Sequence, residues 1–214
     1  MIKPVLQLGD PRLRPKSSAV TNVCTPEMKR LVRDLSDTFF NAKTKYHYCR
    51  GIAAPQIGSL KRTILIDDSR FKGPLINPRV ISASGPTHEV WDSCLSFNLA
   101  FFLQVDRRNI VQIEFLNEEG IKDVLQADGI LSELLQHEID HLDGILATDR
   151  LKDIRKIIMR EEYEKMSRHT RLGTQQSPGK RPLYKARTLS RQRLIVHRHN
   201  VLAVVEMGDC LPSC

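Results

Sequence analysis

A chain of 214 residues with 41% hydrophobic content can bury one substantial core and has no need to split into two domains. No stretch approaches the apolar run of about 18 residues that a membrane span requires, and residues 1–10 lack the core of a signal peptide, so the expectation is a cytoplasmic protein with no membrane partner. Five cysteines at irregular spacing do not make a disulfide framework, and the net charge of +8 is local: residues 167–214 carry nine Lys/Arg against Glu206 and Asp209, leaving residues 1–166 close to neutral.

The first predicted element is a helix capped by Thr25, with Pro26 in its first turn. Met28, Leu31, Val32, Leu35 and Phe39 recur on one face as far as about Lys43. A loop rich in Lys, Tyr and His leads to Gly51-Ile52-Ala53-Ala54-Pro55-Gln56-Ile57-Gly58, whose small residues permit close backbone approach. Strands are predicted over 62–67, 75–82 and 110–116, the last turning through Asn117-Glu118-Glu119-Gly120 into a partner over 121–125.

A second helix is predicted to start at Asp128-Gly129 and stop at Gly144, with Ile130, Leu131, Leu134, Leu135 and Leu142 at helical spacing. A third, highly charged helix is expected from about Leu151 to Met166. Strands followed by a helix packed on them suggest an α+β domain of mixed or antiparallel sheet over residues 1–166. Residues 167–214 read as a flexible basic extension, with a possible strand over 194–207.

The second helix carries His137-Glu138-Ile139-Asp140-His141. Positions i and i+4 share a face one turn apart, so both imidazoles can reach a single ion with Glu138 beside it. The histidines continue the stripe of Ile130 and Leu134 and so face the core. Two buried imidazoles that close together would otherwise each need a separate partner, whereas one metal satisfies both. Glu133 and Asp140 read as solvated helix positions, and Asp143 as a residue that orients a ligand or stabilises the helix end.

A hydrolytic metal site needs a third protein ligand and an open position for water. Cys94, in Trp91-Asp92-Ser93-Cys94-Leu95-Ser96, is a candidate, although taken alone it reads as a small buried residue or a redox thiol rather than as a ligand. Set beside Gln56 and the His137 to His141 segment, it makes residues 3–165 resemble peptide deformylases. Leu8-Gly9-Asp10-Pro11-Arg12-Leu13-Arg14 is similar to that family's opening. Gly51 to Gln56, Cys94-Leu95-Ser96 and Gln136 to Gly144 are similar to its three motifs, in family order.

The resemblance implies removal of the formyl group from the formyl-methionine of nascent polypeptides. It implies Fe²⁺ as the usual native metal, with Zn²⁺, Ni²⁺ or Co²⁺ able to substitute. By motif, Cys94, His137 and His141 hold the ion, and Glu138 takes a proton from water and returns it to the leaving amine. The Gln56 amide and the Leu95 N–H meet the developing oxyanion, and the Gly51 backbone pairs with extended substrate. Arg50, Ile130 and Leu134 are expected to line the substrate pocket.

The chain departs from the family pattern at Cys49 and Arg50, where glycine and a small aliphatic residue are usual. It departs again at Asp92-Ser93, where Glu-Gly is usual, and at Asn98-Leu99-Ala100, where Pro-Gly is expected. Arg50 raises the expectation of a more polar or acidic N-formyl substrate. Two other readings compete: a zinc endopeptidase with Glu161 or Glu162 as third ligand, and a noncatalytic module whose basic tail binds RNA. Within the deformylase reading, the same tail suggests contact with ribosomal RNA phosphates, with no DNA partner.

Overall fold

The computed structural model describes residues 1–46 and 49–173, with side chains through Ser167. In chain order it contains α1 (Pro26–Lys45), β1 (Gly51–Ala53), β2 (Thr63–Asp67), β3 (Lys72–Asp92), β4 (Phe101–Leu116), β5 (Lys122–Asp128), α2 (Gly129–Leu142), β6 (Ile157–Met159) and α3 (Arg160–Gly173). The expected strand over 194–207 lies outside the described residues.

The strands form one antiparallel sheet in the order β1-β2-β3-β4-β5, with β6 added to the start of β4. This is the α+β arrangement expected, with two helices sandwiching part of the sheet. β2 shows how. Ile64 and Ile66 point to α2 and pack with Leu131, Leu135, Ile139 and Leu142, whereas Leu65 points the other way, to Leu35 and Phe39 of α1. A strand covered on both faces is apolar at successive positions, which is why Thr63-Ile64-Leu65-Ile66 lacks alternation.

Local chemistry fixes the helix starts. The Thr25 hydroxyl accepts the Met28 N–H at 3.2 Å, with Pro26 where its missing N–H costs nothing. Asp128 stands at the start of α2 as expected, but its side chain makes no capping bond; its carboxylate receives Arg70 Nη1 at 2.6 Å instead. Gly144 ends the turn after α2 at φ +74, and a Cβ there would lie 2.0 Å from the Arg14 carbonyl oxygen, so only glycine fits.

Strand lengths differ from the sequence expectation. β3 starts three residues before Leu75 and continues ten past Ser82, with Gly85-Pro86 accommodated in a bulge where the register with β4 shifts between Ser84 and Thr87. The helix expected from Leu151 begins only at Arg160. The Asp153 side chain and carbonyl hold Arg155 and Lys156 in a turn, and the branched Ile157 and Ile158 then pair with β4. α3 then runs past 166, the expected end of the catalytic domain, to Gly173.

Candidate metal centre and active site

α2 carries His137 and His141 one turn apart, their ring centroids separated by 4.9 Å. β3 delivers Cys94 from the opposite side at the head of a short 3₁₀ turn, where its sulfur accepts the Ser96 N–H at 3.3 Å. One ligand atom from each of the three residues falls within 4.8 Å of the others, and all three residues are buried. Cys94 Sγ lies 3.1 Å from His141 Nε2.

Asp92 fixes the first imidazole. Its Oδ1 is 2.9 Å from His137 Nδ1, which leaves Nε2 to face the cluster, and its Oδ2 accepts from Arg107 Nη2 at 2.8 Å. Arg107 is itself buried and donates through Nη1 to Asp140 at 2.5 Å, and Asp140 is closed off by Arg150. Asp140 is therefore no solvated helix position. It ends a buried chain of alternating charge that starts at His137. Burial works against charge on Asp92, but His137 and Arg107 outweigh it and hold the carboxyl well below the usual range. Burial likewise opposes a charged His137, and Asp92 overcomes it, raising that imidazole well above its ordinary value. His141 has no such partner, and burial, then the His137 charge, keeps it well below.

The residues suit a metal. A thiol and two imidazoles converge in a buried pocket, and a carboxylate orients one imidazole from behind, the usual support for a ligating histidine. His141 Nδ1 has no hydrogen-bond partner among the described residues, so nothing there ties its proton to the other nitrogen.

Glu138 completes the centre. Burial raises its carboxyl to about 7, and Oε2 is buried with no partner among the described residues, a carboxylate free to exchange a proton near neutral pH. Gly51 explains its placement. A Cβ built on Gly51 would lie 2.5 Å from Glu138 Oε1, so β1 needs glycine there for the carboxylate to sit where it does. Gln56 is 1% exposed and fully oriented: its Oε1 accepts the Ala53 N–H at 2.8 Å, and its amide nitrogen faces Cys94 Sγ at 3.3 Å and Ser96 Oγ at 3.1 Å. The side-chain donor thus points at the metal cluster.

Arg50, Gly51, Gln56, Cys94, Leu95, Leu134, His137 and Glu138 all line one cavity of about 220 Å³. Ile130 does not; it is 51% exposed on the first turn of α2. Glu133, read from sequence as solvated, also lines the cavity, and its Oε1 lies 3.1 Å from His88 Nε2. Asp143 accepts from Arg62 Nη1 at 2.8 Å, a tie from the helix end to the sheet. Cys49 lines the cavity too, and burial, then the neighbouring Glu138 and Cys94, pushes its thiol up to about 12; it does not belong to the converging ligand group. Glu161 and Glu162 are solvent-facing on α3, and the converging ligand group is Cys94, His137 and His141, which removes the basis of the endopeptidase reading.

Sequence reasoning assigned no role to Asp92, Arg107 or Tyr163. A carboxylate two residues before the ligand cysteine was a usable signal for Asp92. For Arg107 the signal was its phase on β4, which sets it on the same buried face as Leu103 and Val105.

The polypeptide deformylase family profile matches residues 2–157. The chain belongs to that family. It is 36% identical over 159 residues to peptide deformylase 2 of Clostridium perfringens, covering 73% of this chain and 97% of that protein. It is 37% identical to the peptide deformylase of Desulfitobacterium hafniense, covering 69% and 93% respectively. Its fold matches the peptide deformylase of Synechococcus elongatus, solved in complex with actinonin, with a TM-score of 0.66 and 32% identity over 78% of this chain and 88% of that one. Deformylases use a single metal ion, and among the described residues Cys94, His137 and His141 form a group that could hold one.

Proposed function

We propose that this deformylase hydrolyses the N-terminal formyl group of formyl-methionyl nascent polypeptides, releasing formate and a free amine. The observation that carries the reading is the convergence, at the wall of one cavity, of a three-ligand cluster, a buried carboxylate whose Oε2 has no partner among the described residues, and an aimed amide donor.

Cys94, His137 and His141 would hold one divalent ion, Fe²⁺ in the native enzyme and Zn²⁺, Ni²⁺ or Co²⁺ as replacements, all acceptable to a mixed sulfur and nitrogen donor set. Bound there, the ion supplies Lewis-acid activation of water and of the formyl carbonyl. Glu138 takes a proton from the attacking water as its oxygen bonds to the formyl carbon. The amide NH₂ of Gln56 and the N–H of Leu95 stabilise the charge that grows on the carbonyl oxygen. The carbon–nitrogen bond then breaks, and Glu138 passes its proton to the leaving amine. Asp92 keeps His137 in one orientation throughout, and Arg50 and Leu134 contact the substrate.

The setting we infer is the cytoplasm, where such substrates emerge, with the basic residues 167–214 drawn to ribosomal RNA. Among the described residues no helix is long and apolar enough to cross a membrane. The test is formate release from formyl-Met-Ala-Ser by anaerobically purified, Fe²⁺-loaded protein, with Glu138→Ala as control. Release by wild type alone supports the reading. No release despite one tightly bound metal per chain refutes it and directs attention to another N-acyl substrate.

A further inference from the structure

The family profile ends at residue 157, and none of the three motifs lies in α3, which begins at Arg160. That helix gives the cavity Tyr163. The Tyr163 ring stacks on Phe102 with centroids 3.9 Å apart and planes 13° from parallel, and meets Trp91 edge-on at 6.0 Å. All three rings line the cavity that contains His137 and Glu138. The backbone that presents Tyr163 is anchored: β6 is paired to β4, and the Arg160 N–H donates to the Ala100 carbonyl at 3.0 Å. Glu161 and Glu162 face solvent on the same turn of helix, so the tyrosine is the residue turned inward.

An aromatic wall favours a particular side chain. A thioether sulfur against aromatic rings gains an attraction that a methylene of the same shape does not, enough for about a two- to tenfold difference in affinity. We propose that Tyr163 is a specificity residue: with Trp91 and Phe102 it forms the wall that receives the methionine side chain of the substrate, so α3 is part of the substrate site. The proposal rests on the deformylase reading above, and the choice of measurements separates the two.

The comparison is between formyl-Met-Ala-Ser and its formyl-norleucyl isostere, in which carbon replaces sulfur, on the full-length metal-loaded protein. Trp91 is the single tryptophan of the chain, so its fluorescence reports occupation of this cavity directly. Peptide affinity is read from it on Glu138→Ala, and kcat and KM are read on wild type, Tyr163→Leu and Tyr163→Phe. The expected result is a two- to tenfold preference for methionine in affinity and in kcat/KM. Tyr163→Phe keeps it, and Tyr163→Leu abolishes it through KM with kcat little changed. An unchanged ratio in Tyr163→Leu overturns the proposal. So does a wild-type ratio of one, or a Trp91 signal indifferent to both peptides, and neither of these depends on the variant folding. If the methionine peptide binds preferentially but neither peptide yields formate, the wall stands and the hydrolytic reading falls.

Discussion

Gly51→Ala separates two explanations of one glycine. The motif resemblance gives Gly51 the task of pairing its backbone with extended substrate, and a methyl group there would chiefly weaken binding. The structure gives it a different task. The added Cβ would sit 2.5 Å from Glu138 Oε1 and 3.0 Å from Glu138 Cγ, where ordinary contact begins at 3.4 Å. Gly51 does not have a positive φ, so alanine costs no backbone strain, and β1 keeps its register with β2. The carboxylate must therefore yield by close to an ångström, away from its place beside the ligand cluster and into the cavity it lines. Misplacement of a reacting group on that scale costs on the order of 10²-fold in rate, and overpacking adds about 1–3 kcal/mol of destabilisation. The expectation is a drop of about a hundredfold in kcat with KM within a factor of a few, bound metal unchanged, and a lowered Tm. Steady-state formate release, metal analysis and thermal melts measure all of these. A variant with near-normal kcat and a greatly raised KM would refute the steric account and favour the strand-pairing one.

Asp92→Asn removes the carboxylate that orients His137, and metal affinity measured by chelator competition is expected to fall about 10- to 100-fold, with Asp92→Glu restoring most of it. Glu138 carries a pKa raised from 4.5 to about 7 by burial, so between those values the folded metal-free chain binds the proton that the unfolded chain has lost. Its stability therefore falls as pH rises through that window, and metal-free Glu138→Gln should gain Tm over wild type from pH 5 to pH 8; a constant difference would contradict the burial argument. Arg50 lines the cavity with no carboxylate partner among the described residues, so Arg50→Ile should lower kcat/KM for formyl-Glu relative to formyl-Met peptides. Equal ratios in the two proteins would rule that out. A chain ending at Gly173 should lose the salt-sensitive part of ribosome binding, and identical binding by both lengths would dispose of a role for the tail.

How far the sequence could be read depended on whether a feature was local. The ligand pair was legible because helical spacing alone places His137 and His141 on one face, and α1 because Thr25-Pro26 is a local start signal. Thr63 to Asp67 was legible as a strand from its branched apolar run. The continuation of β3 past Ser82 was not legible, because only its pairing with β4, across more than twenty residues, carries the strand through a bulge at Gly85-Pro86. Residues 157–159 were absorbed into a helix for the same reason: three residues carry no period, and their state is decided by β4. The alternation of β4 puts Arg107 on the inward face, but its partners Asp92 and Asp140, like those of Tyr163, lie on other elements, so no window along the chain shows what either does.

The departures from the family pattern do not fall at random. Those nearest the ion preserve its chemistry. Asp92, shorter by a methylene than the usual glutamate, still reaches both His137 and Arg107, and Cys49, a second thiol close to the centre, stands outside the ligand group. Elsewhere on the cavity wall Arg50 brings a cation where the family pattern has a small aliphatic residue, and it shares that wall with Glu133, held by His88, and with the aromatic group that α3 completes. A metal centre tolerates few alternatives, because ligand identity and orientation set the reaction itself. A substrate wall can change residue by residue, each step altering relative rates among substrates. On that argument, substitution at Arg50 is expected to alter relative rates among substrates, with the hydrolytic chemistry left in place.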